Sequence, residues 1–323
     1  MATVPTRATL PDFLIVGAQR SGTTYLHHLL AQHPQVHLPV QKELHYFDLV
    51  GIRYPEVDLD EYARSFRGAA PGQVVGEATP SYMYFPWVPE LLGRHLPDAR
   101  LVFVLRDPVD RAYSHYWKAI RDGRENLTFE RALEVEGRRL RVSHRDRVAF
   151  SYRDRGFYMR QIERFRSHFP RERMLVLRAE DLYARPLDVL RDVCAFIGAP
   201  LEFEVGEHRT DLEHAPVPER LGLYRRLVGV ERASNGRSGL WRVGRAAKRL
   251  RQRMARLGGA YPPMKVETRR RLGEGYRDDA SALAAFLDVD LGHWSVFRGQ
   301  SQGSGSGSPA PASAPELSAP GPG

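Results

Sequence analysis

The chain has 323 residues, 42% apolar and 27% charged, which is the balance of a soluble globular protein long enough to bury a sizeable core. Basic residues outnumber acidic ones 48 to 39 for a net charge of +9, and the single cysteine, Cys194, excludes an intrachain disulfide and any cysteine-rich metal cluster. No run approaches the ~18 apolar residues that span a bilayer, and residues 1–13 lack the apolar core of a secretory leader, so a cytoplasmic protein is expected.

The first strand is FLIVG at 13–17. It runs straight into Gly17-Ala18-Gln19-Arg20-Ser21-Gly22-Thr23-Thr24, and a helical pattern follows from Tyr25 to Gln32. Glycines at both ends permit a tight turn whose amides converge on an anion at a helix N-terminus. Hydroxyls at Ser21, Thr23 and Thr24 supply further donors. The spacing is that of a GxxxxGK[ST] loop, but Thr23 stands where the lysine would be, and the cation is Arg20. Next comes Lys42-Glu43-Leu44-His45-Tyr46-Phe47-Asp48. If that segment is extended, Glu43 and His45 share one face, and Lys42 and Leu44 the other.

A second strand, QVVGEA at 73–78, leads into Glu77-Ala78-Thr79-Pro80-Ser81-Tyr82, and a third is RLVFVL at 100–105. After the third, Asp107 suits a helix N-cap and Pro108 a first turn. Arg106 and Ser114 lie eight residues apart, so strand end and inner helix face reach one anion, while Arg111 reads as a surface ion-pair partner. A fourth strand, MLVLR at 174–178, precedes the helical RPLDVLRDVCAFIG at 185–198. Short buried-type strands alternating with helices predict a P-loop-type three-layer α/β sandwich, a central parallel sheet flanked by helices. Ligands in such sheets sit at the carboxyl ends of the strands. Trp87, Tyr116, Tyr152 and Trp241 read as core aromatics.

Positive charge is concentrated at 220–271, which holds 16 basic and 2 acidic side chains and leaves −5 for the rest. Within it Leu240, Val243, Ala247, Leu250, Met254 and Leu257 recur at helical spacing. The arginines around that stripe serve equally as its solvated face or as contacts to an anionic partner. Residues 299–323 hold one charge and almost nothing that packs, and are expected to be a disordered tail behind a single domain at 1–298.

Three motifs together, Gln19–Thr24, Lys42–Asp48, and Arg106-Asp107-Pro108 with Arg111–Tyr116, resemble the PAPS-dependent sulfotransferases (PAPS is 3′-phosphoadenosine 5′-phosphosulfate). The nearest flavour is the heparan sulfate glucosaminyl sulfotransferases and their bacterial relatives. The similarity continues through Gly156-Phe157-Tyr158, Glu180-Asp181-Leu182, Phe196-Ile197-Gly198 and Tyr261-Pro262-Pro263-Met264 to near Trp294. The resemblance implies PAPS as co-substrate, gripped at its 5′ end by Arg20, Ser21, Gly22, Thr23 and Thr24 and at its 3′-phosphate by Arg106 and Ser114. A loop ending in Tyr261 would close over it. Glu43 would be the general base, with burial raising its pKa, and His45 the second candidate or an orienting group. Arg20 would neutralise the oxygen left as the S–O bond breaks, and no metal is required. The acceptor would be a hydroxyl, less readily an amine, of a small molecule, carbohydrate or glycolipid. Ala78, where the heparan enzymes carry lysine, argues against a heparan-like acceptor. A magnesium-dependent P-loop kinase or NTPase is the alternative enzyme, disfavoured by the missing lysine. A nucleic-acid-binding protein is the non-enzymatic alternative, and no nucleic-acid motif accompanies the basic segment. The arginine-rich composition points to a bacterial source.

Overall fold

A computed structural model describes residues 9–201, 203, 206, 221–234, 241–256 and 261–298. The expected tail at 299–323, the loop at 258–260 before Tyr261, and Leu240 and Leu257 of the apolar stripe lie outside these residues.

Five parallel strands form one sheet: β1 (Phe13–Gly17), β2 (Val36–His37), β3 (Val74–Ala78), β4 (Arg100–Leu105) and β5 (Met174–Arg178), in the order β2-β3-β1-β4-β5. The four longer ones stand where their apolar runs placed them. The two-residue β2 is too short to carry a pattern. Alternation explains the layers. In β1, Leu14 and Val16 enter one core cluster, and Phe13 and Ile15 the other; Leu101, Phe103 and Leu105 of β4 likewise oppose Val102 and Val104. Both faces are therefore dry, as a parallel sheet requires.

The helices are α1 (Thr23–Leu30), α2 (Leu59–Ala63), α3 (Val88–His95), α4 (Pro108–Arg121), α5 (Phe129–Arg139), α6 (His144–Phe150), α7 (Tyr158–Arg166), α8 (Ala179–Ala184), α9 (Pro186–Ile197), α10 (Leu221–Ser234), α11 (Trp241–Arg256) and α12 (Val266–Leu287). Helix α4 begins as its sequence dictates. The Asp107 carboxylate accepts from the amides of Val109 (2.8 Å) and Asp110 (3.4 Å), and Pro108 opens the first turn. The other Asp107 oxygen accepts from Ser295 N–H at 2.5 Å, tying the helix start to the segment after α12. A third core cluster packs α4 against α5, α10 and α12 around Tyr113, Tyr116, Tyr152, Tyr224 and Tyr276. Tyr116 and Tyr152 are thus core residues, as expected, whereas Trp87 is only half-buried. The side chain of Trp241 lies outside the described residues.

Two local expectations fail. Arg111 is fully buried and donates to the Tyr152 carbonyl rather than forming a surface ion pair, because α4 turns that face into the aromatic cluster. The α11 stripe is only partly inward: Ala247 is buried, but Val243 is 52% and Leu250 46% exposed.

In this strand order the chain moves outward to one side after β1 and to the other after β4. The crevice between the carboxyl ends of β1 and β4 is therefore the switch point, where a doubly wound sheet leaves room for a ligand.

Candidate active site

Two groups of side chains meet at that edge of the sheet. The first is built on the turn after β1. The Ala18 amide donates to Val104 O of β4 at 2.8 Å, so the turn is stitched to the neighbouring strand. Arg20 adopts φ 72° and Gly22 φ 96°. Gly22 stands at the N-cap of α1 with no side chain over the first amides, and a Cβ there would lie 2.7 Å from the Tyr183 hydroxyl. The space above this helix start is thus lined by a phenol and held open by a glycine. Thr24 is exposed, Thr23 is buried, and Ser21 is fully buried with its hydroxyl facing the Tyr158 phenol.

Arg20 reaches across the crevice, and its Nε donates to Ser114 Oγ on α4 at 3.1 Å. Burial lowers the Arg20 pKa, and Arg121 and Arg106 lower it further by repulsion. The charged side chains acting on Arg20 are arginines; the remaining contributors are the phenols of Tyr261 and Tyr183. Like charges collected in this way repel one another, and an added anion would relieve that repulsion. Tyr261 packs parallel to Trp117 with ring centroids 5.6 Å apart, which fixes it beside the cluster. The structure thus brings Arg20, Arg106, Ser114 and Tyr261 together, and adds Arg121 and Tyr183. A single sequence gives no signal for those two, since Arg121 closes an ordinary helix and Tyr183 lies in α8 beyond β5.

The second group is built on residues 42–48, which hang from the end of β3. Glu43 N–H donates to Ala78 O (3.1 Å), and Tyr46 N–H to the Tyr82 hydroxyl (3.1 Å). The segment is not an extended strand. Glu43 (φ 61°) and His45 (φ 53°) are both left-handed, a strained choice for residues with a Cβ. The backbone therefore curls until Lys42 and His45 both touch Glu43. Lys42 Nζ lies 2.8 Å from Glu43 Oε1, and His45 Nε2 lies 3.5 Å from Glu43 Oε2. On its far side His45 Nδ1 lies 2.8 Å from Oδ2 of the fully buried Asp48, which also accepts from the Ser81 hydroxyl.

The electrostatics follow from these contacts. Burial works to raise the Glu43 pKa, but the hydrogen bond from His45 and the charge of Lys42 outweigh it and hold the carboxyl at about 2. This corrects the expectation that burial would lift it. His45 is raised to about 9, first by Asp48 and then by Glu43. Behind them Glu77 of β3 is buried and pushed up to about 7 by desolvation, although Tyr62 (2.7 Å) and Thr79 (3.0 Å) donate to it. His27, in the last turn of α1, is depressed to about 4 by burial and then by Lys42, so α1 and the 42–48 segment adjoin.

A cleft of about 230 Å³, lined by Trp87, Leu140, Arg141, Ser143, His144 and Arg147, opens beside the second group. Trp87 donates to Phe47 O at 3.2 Å, and His144 feels Asp48 and His45. Two of its lining residues, Trp87 and His144, therefore lie near the Asp48 side of the cluster.

A family profile described as the sulfotransferase domain matches residues 10–215, which hold both groups apart from Tyr261. The chain belongs to the sulfotransferase-domain family. It is 31% identical over 189 residues to human (Homo sapiens) heparan sulfate glucosamine 3-O-sulfotransferase 3B1, covering 58% of this chain and 46% of that one. To human heparan sulfate glucosamine 3-O-sulfotransferase 6 it is 30% identical over 198 residues, covering 61% and 55%. The chain thus spans about half the length of the curated relatives it matches. Among solved structures, a sulfotransferase from Alicyclobacillus acidocaldarius superposes with a TM-score of 0.64 at 27% identity, covering 88% of this chain and 99% of that one. Family membership fixes the α/β sandwich and agrees with the motifs at Gln19–Thr24 and Arg106–Tyr116.

Proposed function

We propose that this sulfotransferase-domain protein moves a sulfuryl group from PAPS to a hydroxyl of an acceptor. The observation that carries the reading is the unneutralised arginine cluster at the β1/β4 crevice, set beside the Glu43–His45–Asp48 chain. The residues present suit the nucleotide's two anionic ends. Arg20, the amides at the start of α1 and Thr24 would hold the 5′-phosphosulfate; Arg106 and Ser114 would hold the 3′-phosphate, with Arg121 as a further cation. Tyr261 and Tyr183 would flank the nucleotide.

When bound, PAPS supplies an activated sulfuryl group whose leaving group is a phosphate oxygen. The acceptor oxygen forms a bond to sulfur as the S–O bond to phosphate breaks, and the departing electron pair stays on the phosphate, where Arg20 offsets the new charge. The acceptor proton passes to Glu43. His45, held by Asp48 and Ser81, keeps the Glu43 carboxylate pointed at the acceptor. A single domain at 1–298 and a bacterial cytoplasmic setting complete this reading. The cleft at Trp87 has a flat ring and two arginines, Arg141 and Arg147, which favours an acceptor that combines a ring with an acidic group.

The test is thermal stabilisation. PAP, the desulfated product, should raise the melting temperature without added metal, because a ligand bound only to the native state stabilises it. ATP with magnesium should raise it far less, lacking a 3′-phosphate. Equal shifts would move the reading to a kinase or NTPase. Transfer of label from PAPS into an extract of the producing cells, followed by mass analysis, then identifies the acceptor.

A further inference from the structure

Helices α10 and α11 pack antiparallel against each other, with Ser234 against Gly244 and Glu231 ion-paired to Arg251 at 2.9 Å. Their inner faces are fully employed. Gly244, Ala247 and Arg251 are buried at three- and four-residue spacing on α11, as are Tyr224 and Val228 on α10. Arg251 donates to Arg121 O and to the Tyr224 hydroxyl, both at 3.0 Å, and Tyr224 donates to the same carbonyl. The pair is thereby pinned to the end of α4.

The outer face is a different matter. Residues 241–256 contain seven basic side chains and no acidic one. Arg251 points inward, but Arg242, Arg245, Lys248, Arg249 and Arg253 are exposed. Beside them Val243 (52% exposed) and Leu250 (46%) stand seven residues apart, with exposed Ala246 between, on one stripe of the helix. Arg242, Arg249 and Arg253 fall on the adjoining stripe. Helix α10 repeats the arrangement on a smaller scale, with Leu223 (42%) and Val230 (40%) flanking exposed Arg226.

A solvated helix face would explain the charge but not four large aliphatic side chains left in water beside it. Nucleic acid or an acidic polysaccharide would take the arginines and offer the aliphatic groups no apolar phase. A bilayer with anionic headgroups satisfies both, with guanidinium groups at the phosphates and valine and leucine below them. We propose that the outer face of α11, with the neighbouring stripe of α10, docks this protein onto the surface of an anionic lipid membrane. No helix among the described residues is long and apolar enough to cross a membrane, so the association is peripheral and reversible.

The experiment is co-sedimentation of the full chain with phosphatidylcholine vesicles, with and without roughly one-third phosphatidylserine. Binding should need the anionic lipid and weaken as salt rises from about 0.1 to about 0.5 M. Changing Arg242, Arg249 and Arg253 to Gln should cost roughly fivefold each, about 100-fold together. Val243→Asp with Leu250→Asp should cost at least about tenfold, since it places charge in the apolar layer. PAP-induced thermal stabilisation should be unchanged in both sets, because none of these residues belongs to the nucleotide site. Should the Asp pair impair folding, Val243→Ser with Leu250→Ser makes the same comparison. Equal binding to neutral vesicles, or none to anionic ones, overturns the proposal. So does tighter binding to a DNA duplex, RNA or heparin that survives the Asp pair, which would assign the face to a polyanion. The vesicle-binding outcomes do not depend on the sulfuryl-transfer reading; only the PAP control does.

Discussion

Arg106→Ala separates the cost of collecting arginines from its purpose. The Arg106 guanidinium makes no hydrogen bond or ion pair among the described residues; only its main-chain carbonyl is used, accepting from the Tyr158 hydroxyl at 2.8 Å. What the side chain does in the free protein is repel Arg20, which Arg121 already repels and burial already disfavours. Removing it therefore leaves the free protein's stability unchanged or raises it by a fraction of ~1 kcal/mol, given the solvent screening of half-exposed charges. Nucleotide binding should change in the opposite sense. A charge-assisted contact to a phosphate is worth about 1.5–3 kcal/mol, which is roughly 10- to 150-fold in affinity for PAP. Affinity for AMP, which lacks the 3′-phosphate, should hardly move, so the preference for PAP over AMP should collapse. Calorimetric titration with both nucleotides, alongside melting of the free protein, measures all three quantities. An intact PAP preference refutes the placement of Arg106 at the 3′-phosphate. A large drop in the melting temperature of the free protein refutes the repulsion argument, because it would mean that Arg106 is a structural side chain.

Three further perturbations bear on the acceptor side. Glu43→Gln should leave PAP affinity intact while turnover with an identified hydroxyl acceptor falls roughly 10²–10⁴-fold; near-normal turnover beside collapse in His45→Ala would transfer the base role to His45. Glu77→Gln should gain stability relative to the parent as pH rises. A carboxyl raised from its ordinary value of 4.5 to about 7 binds its proton more tightly when folded, so the parent loses on the order of 3 kcal/mol across that window and the amide does not; parallel melts at pH 5 and pH 8 that keep a constant difference would refute it. Arg147→Ala should raise KM for an acidic acceptor several-fold with kcat little changed, as lost ground-state binding does, and should leave PAP binding alone.

The sheet was legible because each long strand is a short, wholly apolar run, and a strand buried on both faces needs nothing else. The start of α4 was legible because an N-cap and a first-turn proline are local chemistry. Arg20, Arg106 and Ser114 were legible because glycine spacing and a strand-to-helix junction fix where they must lie. What stayed hidden depends on distant contact or on backbone choice. Arg121 and Tyr183 join the arginine cluster from parts of the chain remote from the loop. Arg111 has the spacing of a surface residue, and only packing against Tyr152 reveals it as buried. Alternation in an extended strand puts Lys42 away from Glu43, but the left-handed turns at Glu43 and His45 bring Lys42 and His45 both onto Glu43. The Glu43 pKa is hidden for the same reason: its burial can be read from the sequence and the two cations around it cannot.

The depressed Glu43 pKa sharpens the choice of base. With Glu43 near 2 and His45 near 9, the resting site holds a carboxylate and an imidazolium across neutral pH. A carboxylate this well stabilised is a weak base, so an acceptor hydroxyl gains a stronger one only by displacing Lys42 from Oε1 while His45 keeps hold of Oε2. The charged form of His45 is then the working form, and it is lost as pH rises through about 9. If Glu43 takes the proton, kcat/KM is level through the neutral range and falls near pH 9. If His45 were the base, only its neutral form would serve, and kcat/KM would climb toward pH 9. The two assignments therefore predict opposite slopes over the same interval. Asp48 is the largest contributor to the raised pKa of His45, so Asp48→Asn should move the inflection down toward the ordinary histidine range while leaving its sense unchanged. The profile is to be measured with an acceptor that does not itself titrate between pH 6 and 10, with PAP affinity followed in parallel. A rate that rises through pH 9, and whose rise shifts downward in Asp48→Asn, would remove Glu43 from the chemistry and leave it as the group that orients His45.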